Sequence, residues 1–547
     1  MNLTKHLRSP LAAYGKAFRE TPRHIICNRT LILSALIFAL GGIPGTWDQG
    51  VSATISSLPG FQEHFGVTSG AKADQIRDLV SLVYIGQAIG AAMSFFFNDR
   101  IGRLWSYRLY IFVWLTGQLV AIFTPGIAGL YASRIICGSG IGGLSVIGPM
   151  SLVEISPGEI RGLLTSWFVV FMGLGLFCGN FAVYGSYLHL ASSRLQYQVT
   201  WIVPCIVMAL TAGATFFLHE TPKWLALKDR RDEAINALCA LRSLPADDTR
   251  IQTEISEIEA DITKSRGDSE HGSSLGSILR EMFTVRSNLR RLQQTLVAYA
   301  LAQMSGANSV TSYFIPIMSI LGISGGTQRS IFLSGMYGLA KLGFSLFASF
   351  FFIDTLGRRK SLFVGISCQM LSHVYLGVFI KQNQEGSVSD AASEAALAAV
   401  FVHAFGYAVG KSTPLFPFRV NRLLLLSYVF GGELWPNRLR SLGSAVSQTF
   451  HWILIYAIKF SVPSILESMD QWGAFVFFAG WCFLGLVYVF FVVPETAHMS
   501  TEEISAVFEG PLFTAYKRSK TSTILGSIPS HDREGLEKVK LDEEKGQ

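Results

Sequence analysis

Asp48 stands inside the first long apolar run of the chain, flanked by Gly45 and Gly50. An ionised carboxylate is costly in an apolar span, so an acid at this place is by default functional. Arg134, early in the fourth apolar run, is its natural partner. The chemistry such a pair offers is proton exchange, because protonating the acid removes the charge that holds the arginine. His451, in a later run and followed by Trp452, is a second group able to titrate near neutral pH or to bind a ligand, although a lone histidine of this kind is as often structural. Acids and arginines also recur at the ends of the runs: Asp99, Arg103, Glu154, Arg161 and Glu220 in the first part of the chain, Asp354, Arg358, Glu433, Arg440 and Glu495 in the second. No nucleophile lies at useful spacing from a base, no phosphate loop is recognisable, and the seven cysteines are scattered singly without metal spacing. Neither an enzyme, a cofactor, a metal site nor a disulfide framework is expected. Gly138, Gly140, Gly142 and Gly143 imitate a dinucleotide fingerprint, but no strand precedes them and close helix packing is the better reading.

The composition says what scaffold must position these residues. Half of the 547 residues are hydrophobic and 15% are charged, against about 25% charged in an ordinary soluble protein; mean hydropathy is +0.38. A soluble globular or disordered chain is excluded. The apolar residues gather in runs close to the roughly 20 residues that cross a bilayer. Runs beginning near Leu31, Leu79, Trp105, Gly129, Gly162, Thr200, Leu292, Ile331, Leu362, Ala396, Leu442 and Trp472 predict twelve spans in an all-α membrane protein. The net charge of +7 sits in short clusters between the spans, which speaks for membrane orientation rather than nucleic acid.

Arg100, Arg103 and Arg108 follow span two, Arg161 span four, Arg358, Arg359 and Lys360 span eight, and Arg438 and Arg440 span ten. Those loops are expected in the cytoplasm with both termini, because Lys and Arg accumulate on that side. The sequons at Asn2 and Asn28 then fall on the wrong side for glycosylation. The expected organisation is a basic segment over residues 1–30, six spans over 31–218, a polar linker over 219–291, six more spans over 292–494, and a tail over 495–547 that is mostly disordered. Within the linker, Glu233, Ala234, Leu238 and Leu241 follow an amphipathic helical pattern, and a Gly- and Ser-containing stretch runs from Ser265 to Ser277.

The two halves repeat each other. Asp99, Gly102 and Arg103 recur as Asp354, Gly357 and Arg358; Glu154, Pro157 and Arg161 recur with identical spacing as Glu433, Pro436 and Arg440; Glu220-Thr221 recurs as Glu495-Thr496. With Pro149, Glu220 to Leu225, Gln303 to Asn308 and Pro494 to Thr496 added, the chain resembles the sugar porter family of the major facilitator superfamily over nearly its whole length. The resemblance implies a major facilitator fold with two six-helix halves and alternating access. Acids and arginines of both halves can then pair across the seam when the inner side closes, a charge latch that mere loop orientation does not explain.

The resemblance also implies roles inside the membrane. Proton-coupled members resemble this chain at Asp48 and Arg134, the acid carrying the proton and the arginine tuning it. Gln303 and Asn308 match side chains that hydrogen-bond substrate hydroxyls. Five positions apart, they share no face of a regular helix, but a break at Gly306 lets both reach a central cavity. Other sugar-contact positions depart from the family pattern: they hold Val169, Leu176, Ala302 and Ser312, with Tyr428, His451 and Trp452 giving an aromatic balance. The expected function is secondary transport of a sugar or sugar-like hydroxylated molecule with proton symport at the plasma membrane, by a monomer. The partners are then a small-molecule substrate, a proton and the lipid bilayer. The alternatives are carriage or export of a cyclic hydroxy acid or phenolic metabolite, and a non-transporting nutrient sensor. One stretch breaks the repeat: Lys411 to Arg422 carries two prolines and three charges where the tenth helix should be apolar, and reads as an insertion or a coding-sequence error.

Overall fold

A computed structural model describes residues 21–67, 72–267, 275–322, 326–356, 358–386, 388–411 and 440–492. Eleven of the described helical stretches are long and apolar enough to cross a membrane: His24–Ser57, Asp74–Ile101, Arg103–Phe123, Ile127–Ile155, Arg161–His189, Arg194–Phe217, Gly326–Phe347, Lys360–Gln384, Ala391–Val409, Leu442–Ser468 and Trp472–Phe491. Each contains one of the starting points read from the sequence. They are spans one to six and eight to twelve.

The seventh span is not one helix but three in succession, Arg286–Met304, Ala307–Ser312 and Phe314–Ile320. Gly306 turns the chain at a φ of +75°, a conformation glycine adopts at little steric cost. A Cβ there would also lie 2.9 Å from Phe478 and 3.2 Å from His373, so the break is enforced from both the backbone and its surroundings. Span one is divided as well, at Gly41 and Gly42, into Arg29–Leu40 and Ile43–Thr54. The Tyr107 hydroxyl donates to the carbonyl of Ile37 at 2.6 Å beside that division, so a polar backbone atom near the break is satisfied inside the bundle.

Within the first half, spans two and four approach until their backbones touch. A Cβ at Gly86 would lie 2.2 Å from the carbonyl of Ile135, and one at Gly138 would lie 2.0 Å from that of Val83. Gly90 and Gly142, one turn further along each helix, repeat the relation. Small residues at such spacing allow the close packing on which helix association in lipid depends. The two halves meet along span two against span eleven and span five against span eight. The buried clusters cross that seam: Trp452 and Ile455 of span eleven join Phe38, Tyr107 and Trp114 of the first half, and Val80 of span two joins Tyr313, Phe314 and Ile458 of the second.

The amphipathic linker pattern forms helices Pro222–Leu227, Arg231–Arg242 and Thr249–Gly267, with a further helix at Leu275–Thr284. Their own small core contains Trp224, Leu225, Ala234, Leu238, Ile251 and Ile255. This unit is tied to the first half. Arg242 donates to the carbonyl of Ile155 at 2.9 Å, and Arg250 holds Glu159 through two bonds of 2.9 Å. Although burial opposes ionisation, Arg250 and nearby amide and Arg242 contributions leave the Glu159 carboxyl below its ordinary range. Asn28 is buried, accepts from the amide of Thr30 and donates to the carbonyl of Ala240 at 2.5 Å, an engaged helix cap rather than an open glycosylation site.

The described part of the tenth span is the helix Asp390–Lys411, which includes the first residue of the irregular stretch. The rest of that stretch, together with Tyr428, Glu433 and Glu495, lies outside the described residues, as do the side chains of Asp354, Arg358 and Arg440.

Candidate functional site

Asp48 sits in the second segment of span one, held between spans four and five: a Cβ at Gly45 would meet Ile141 at 2.9 Å, and one at Gly50 the carbonyl of Leu176 at 2.7 Å. The carboxylate and Arg134 are 3% and 1% exposed, so their shared charge is shielded from both water and lipid. The arginine donates to Asp48 Oδ1 from Nη1. Ser52, one turn further, donates to Oδ2 at 3.5 Å, and the guanidinium lies over the ring of Trp201 at 5.5 Å. Arg134 Nε and Nη2 have no hydrogen-bond partner among the described residues. A buried cation held by one carboxylate oxygen and an aromatic face depends on that carboxylate staying ionised.

Gln303 and Asn308 meet around the break at Gly306. Asn308 Nδ2 donates to Gln303 Oε1 at 2.6 Å, and the Gln303 amide approaches His451 Nδ1 at 3.4 Å. The carbonyl of Ser305, beside the break, meets His373 Nε2 at 2.9 Å. His451 packs on Tyr299 with centroids 4.7 Å apart and on Trp452 at 4.9 Å. Trp452 in turn stacks on Tyr84 of span two at 6.0 Å, so this group reaches the opposite half. Ser312 is buried at the end of the middle segment, and neither its hydroxyl nor that of Ser309 has a hydrogen-bond partner among the described residues.

The third cluster lies at the ends of spans two, three, four and six. Arg103, 4% exposed, donates to Glu154 from Nε and Nη2 at 3.0 and 2.9 Å, and from Nη1 to Asp99 at 2.8 Å. Gly102, at a φ of +99°, turns the chain so that the amides of Arg103 and Leu104 both reach Glu220, each at 3.1 Å. Burial raises the Glu220 carboxyl above its ordinary range, against the amides of Thr221 and Leu104 and the Arg103 cation, which draw it down. Thr221 completes the ring by donating to Glu154 at 2.6 Å. Arg161 opens span five, half-buried. These partners of Arg103 belong to its own half, and the acids and arginines expected to face them from the second half lie outside the described residues or have side chains that do.

The chain matches the family described as "Sugar (and other) transporter" over residues 34–508. It belongs to that family. Among curated relatives it is similar to the probable quinate permease of Aspergillus flavus, 27% identical over 91% of this chain and 92% of the relative. It is also similar to the quinate permease of Emericella nidulans, 28% identical over 90% of each chain. Among solved structures it is similar to the proton:xylose symporter XylE bound to 6-bromo-6-deoxy-D-glucose, with a TM-score of 0.70, 19% identity, and coverage of 88% of this chain and 99% of that one. The partially occluded, inward-open XylE from E. coli follows with a TM-score of 0.67 at 17% identity, over 85% of this chain and 100% of that one. The twelve spans therefore form the major facilitator fold of a multi-pass membrane transporter.

Several polar residues inside this transporter family member are absent from the sequence reading. Lys459 in span eleven is 1% exposed; its Nζ donates to the Tyr84 hydroxyl at 2.5 Å and lies 4.2 Å from the centre of that ring. Lys341 in span eight donates to Thr311 at 2.8 Å and lies over Tyr407 at 4.6 Å. Ser334 of span eight donates to Asn180 of span five at 3.0 Å, a second polar tie across the seam. The signal for the lysines was available: a cation within an apolar run obeys the rule that singles out Asp48.

Proposed function

We propose that this transporter moves a sugar or sugar-like hydroxylated small molecule by alternating access, in symport with a proton. The observation that carries the reading is the buried Asp48–Arg134 pair. A static ion pair in this place is costly and offers nothing that apolar packing would not, whereas a pair that opens on protonation gives the cycle a switch. With Asp48 ionised, Arg134 is held in the first half; with Asp48 neutral it is released, and spans one, four and five are free to rearrange around the cavity. Gln303 and Asn308 supply one donor-acceptor set for hydroxyls, with His451, Trp452 and Ser312 beside them and Tyr428 assigned from the sequence.

The end of the bundle that bears Arg103 faces the cytoplasm in this reading, with both termini, and the membrane is the plasma membrane. Asp99, Arg103, Glu154, Arg161 and Glu220 form the gate of one half; Asp354, Arg358, Glu433, Arg440 and Glu495 are assigned the same task in the other. The gate closes when the two sets exchange partners across the seam. The complete unit is a monomer.

Cells lacking their own hexose carriers are expected to take up radiolabelled glucose faster at acidic than at neutral pH once this chain is at their surface. An uptake rate independent of pH would remove the proton from the proposal. A second reading, a cyclic hydroxy acid as cargo, is favoured by the relatives described as quinate permeases and by the apolar residues Val169, Leu176 and Ala302 at sugar-contact positions. Quinate uptake in the same cells separates the two.

A further inference from the structure

Lys459 is a cation enclosed in the membrane-spanning bundle, 1% exposed. Charges so placed are costly and mark the path of substrates or ions. Its position relative to the hydroxyl-binding group is set by one side chain. Tyr84 stacks on Trp452 and at the same time accepts a hydrogen bond from Lys459, so one side chain touches both the ammonium and the tryptophan that packs on His451. Lys459 follows Trp452 by seven positions, two turns on one helix face, and helical side chains lean toward the N-terminus, which carries the ammonium toward Trp452. Its backbone carbonyl receives the Tyr313 hydroxyl at 2.8 Å, from the junction that ends the middle segment of span seven. The lysine is thus tied both to span two of the first half and to the broken span that bears Gln303 and Asn308.

A neutral sugar offers the ammonium only hydroxyl lone pairs, a weaker partner than a carboxylate. A molecule with hydroxyls on one edge of a six-membered ring and a carboxylate on the other meets both the ammonium and the hydroxyl ligands. We propose that Lys459, with Tyr84 beside it, is the carboxylate subsite of the cavity, and that the preferred cargo is a monoanionic polyhydroxy acid. The carboxylate takes the place of the Tyr84 hydroxyl at the ammonium, and Tyr84 is left free to swing with span two as the halves rock. Substrate binding and the loosening of the seam become one event. The inference rests on the transport reading above and narrows its substrate.

The test uses the full chain in cells without quinate or hexose carriers, with labelled quinate, its neutral methyl ester as competitor, and glucose as a cargo without charge. The wild type is expected to prefer the acid to the ester by about tenfold or more, the worth of a charge-assisted hydrogen bond. Lys459→Gln raises the KM for quinate by that factor and abolishes the preference, while the affinity for the ester stays within about threefold; Lys459→Arg, which keeps the charge, preserves the preference. Equal binding of acid and ester by the wild type overturns the assignment, and so does an equal loss of both in Lys459→Gln. If that variant fails to reach the surface, the wild-type preference and its retention in Lys459→Arg decide. Proton-dependent uptake of glucose without any recognition of quinate would overturn this inference and leave the transport reading standing. Transport of neither would remove both.

Discussion

Replacing Asp48 by Asn is expected to abolish concentrative uptake and its pH dependence while leaving exchange of substrate between the two sides in place. The asparagine is held permanently in the neutral form, so the carrier can pass through its loaded states but cannot release a proton to reset. The substitution has a structural cost as well. Arg134 loses the carboxylate that its Nη1 contacts, and its Nε and Nη2 have no hydrogen-bond partner among the described residues. Leaving a buried charge without its counter-ion costs about 3–5 kcal/mol. Removing the charge from both, in Asp48→Asn combined with Arg134→Gln, is expected to recover much of the lost stability but none of the concentrative uptake. Thermal unfolding of the purified proteins reads the first effect, and uptake against counterflow reads the second. Full concentrative uptake by Asp48→Asn would exclude this residue as the proton carrier.

The second large effect is expected at Arg103. Its three bonds to Glu154 and Asp99 lie in a setting where the arginine is 5% and Glu154 9% exposed by side chain, while Asp99 is 38% exposed. Arg103→Gln leaves the carboxylates of Asp99 and Glu154 without the cation they share, the second in a setting that is largely closed to solvent, and is expected to cost about 3–5 kcal/mol. Glu154→Gln should approach that loss. Asp99→Asn should cost no more than about 1 kcal/mol, because the solvent around Asp99 screens its share of the pairing. Unfolding temperatures that fall equally in all three variants would show that the cluster is not organised around the Arg103–Glu154 pair.

The twelve spans could be read from hydropathy because a bilayer-length helix needs a largely apolar run, and eleven of them are single helical stretches of that kind among the described residues, with few charges such as Asp48, Arg134, Lys341 and Lys459 inside them. The seventh was marked by its run near Leu292, but its extent and division were less plain: its first segment begins at Arg286 and carries Arg290, Arg291 and several glutamines, and its apolar part is divided at Gly306 and Tyr313. The break was nonetheless legible at Gly306, since Gln303 and Asn308 could meet only if the helix failed between them. The acids and arginines at the span ends were legible as a repeated set. Which acids Arg103 holds was not, because a repeat gives equivalent residues in both halves and it is the folded first half that brings Asp99 and Glu154 to its guanidinium. Lys459 was visible as an intramembrane cation, but Tyr84, which accepts from it, is 375 positions away, and no local pattern marks a partner at that separation. The histidine at Ser305 is hidden for the same reason: His373 belongs to span nine, 68 positions along the chain.

The Asp48–Arg134 pair has an electrical consequence. As an ion pair it is neutral, and once protonated it carries one positive charge inside the membrane. Moving an elementary charge through 100 mV is worth about 2.3 kcal/mol, so a potential that is negative inside drives the protonated carrier inward when its cargo is neutral. A monoanion cancels that charge. One proton with one sugar would make the cycle generate a current, whereas one proton with one hydroxy acid would let it run silently, driven by the pH difference alone and indifferent to the voltage across the membrane.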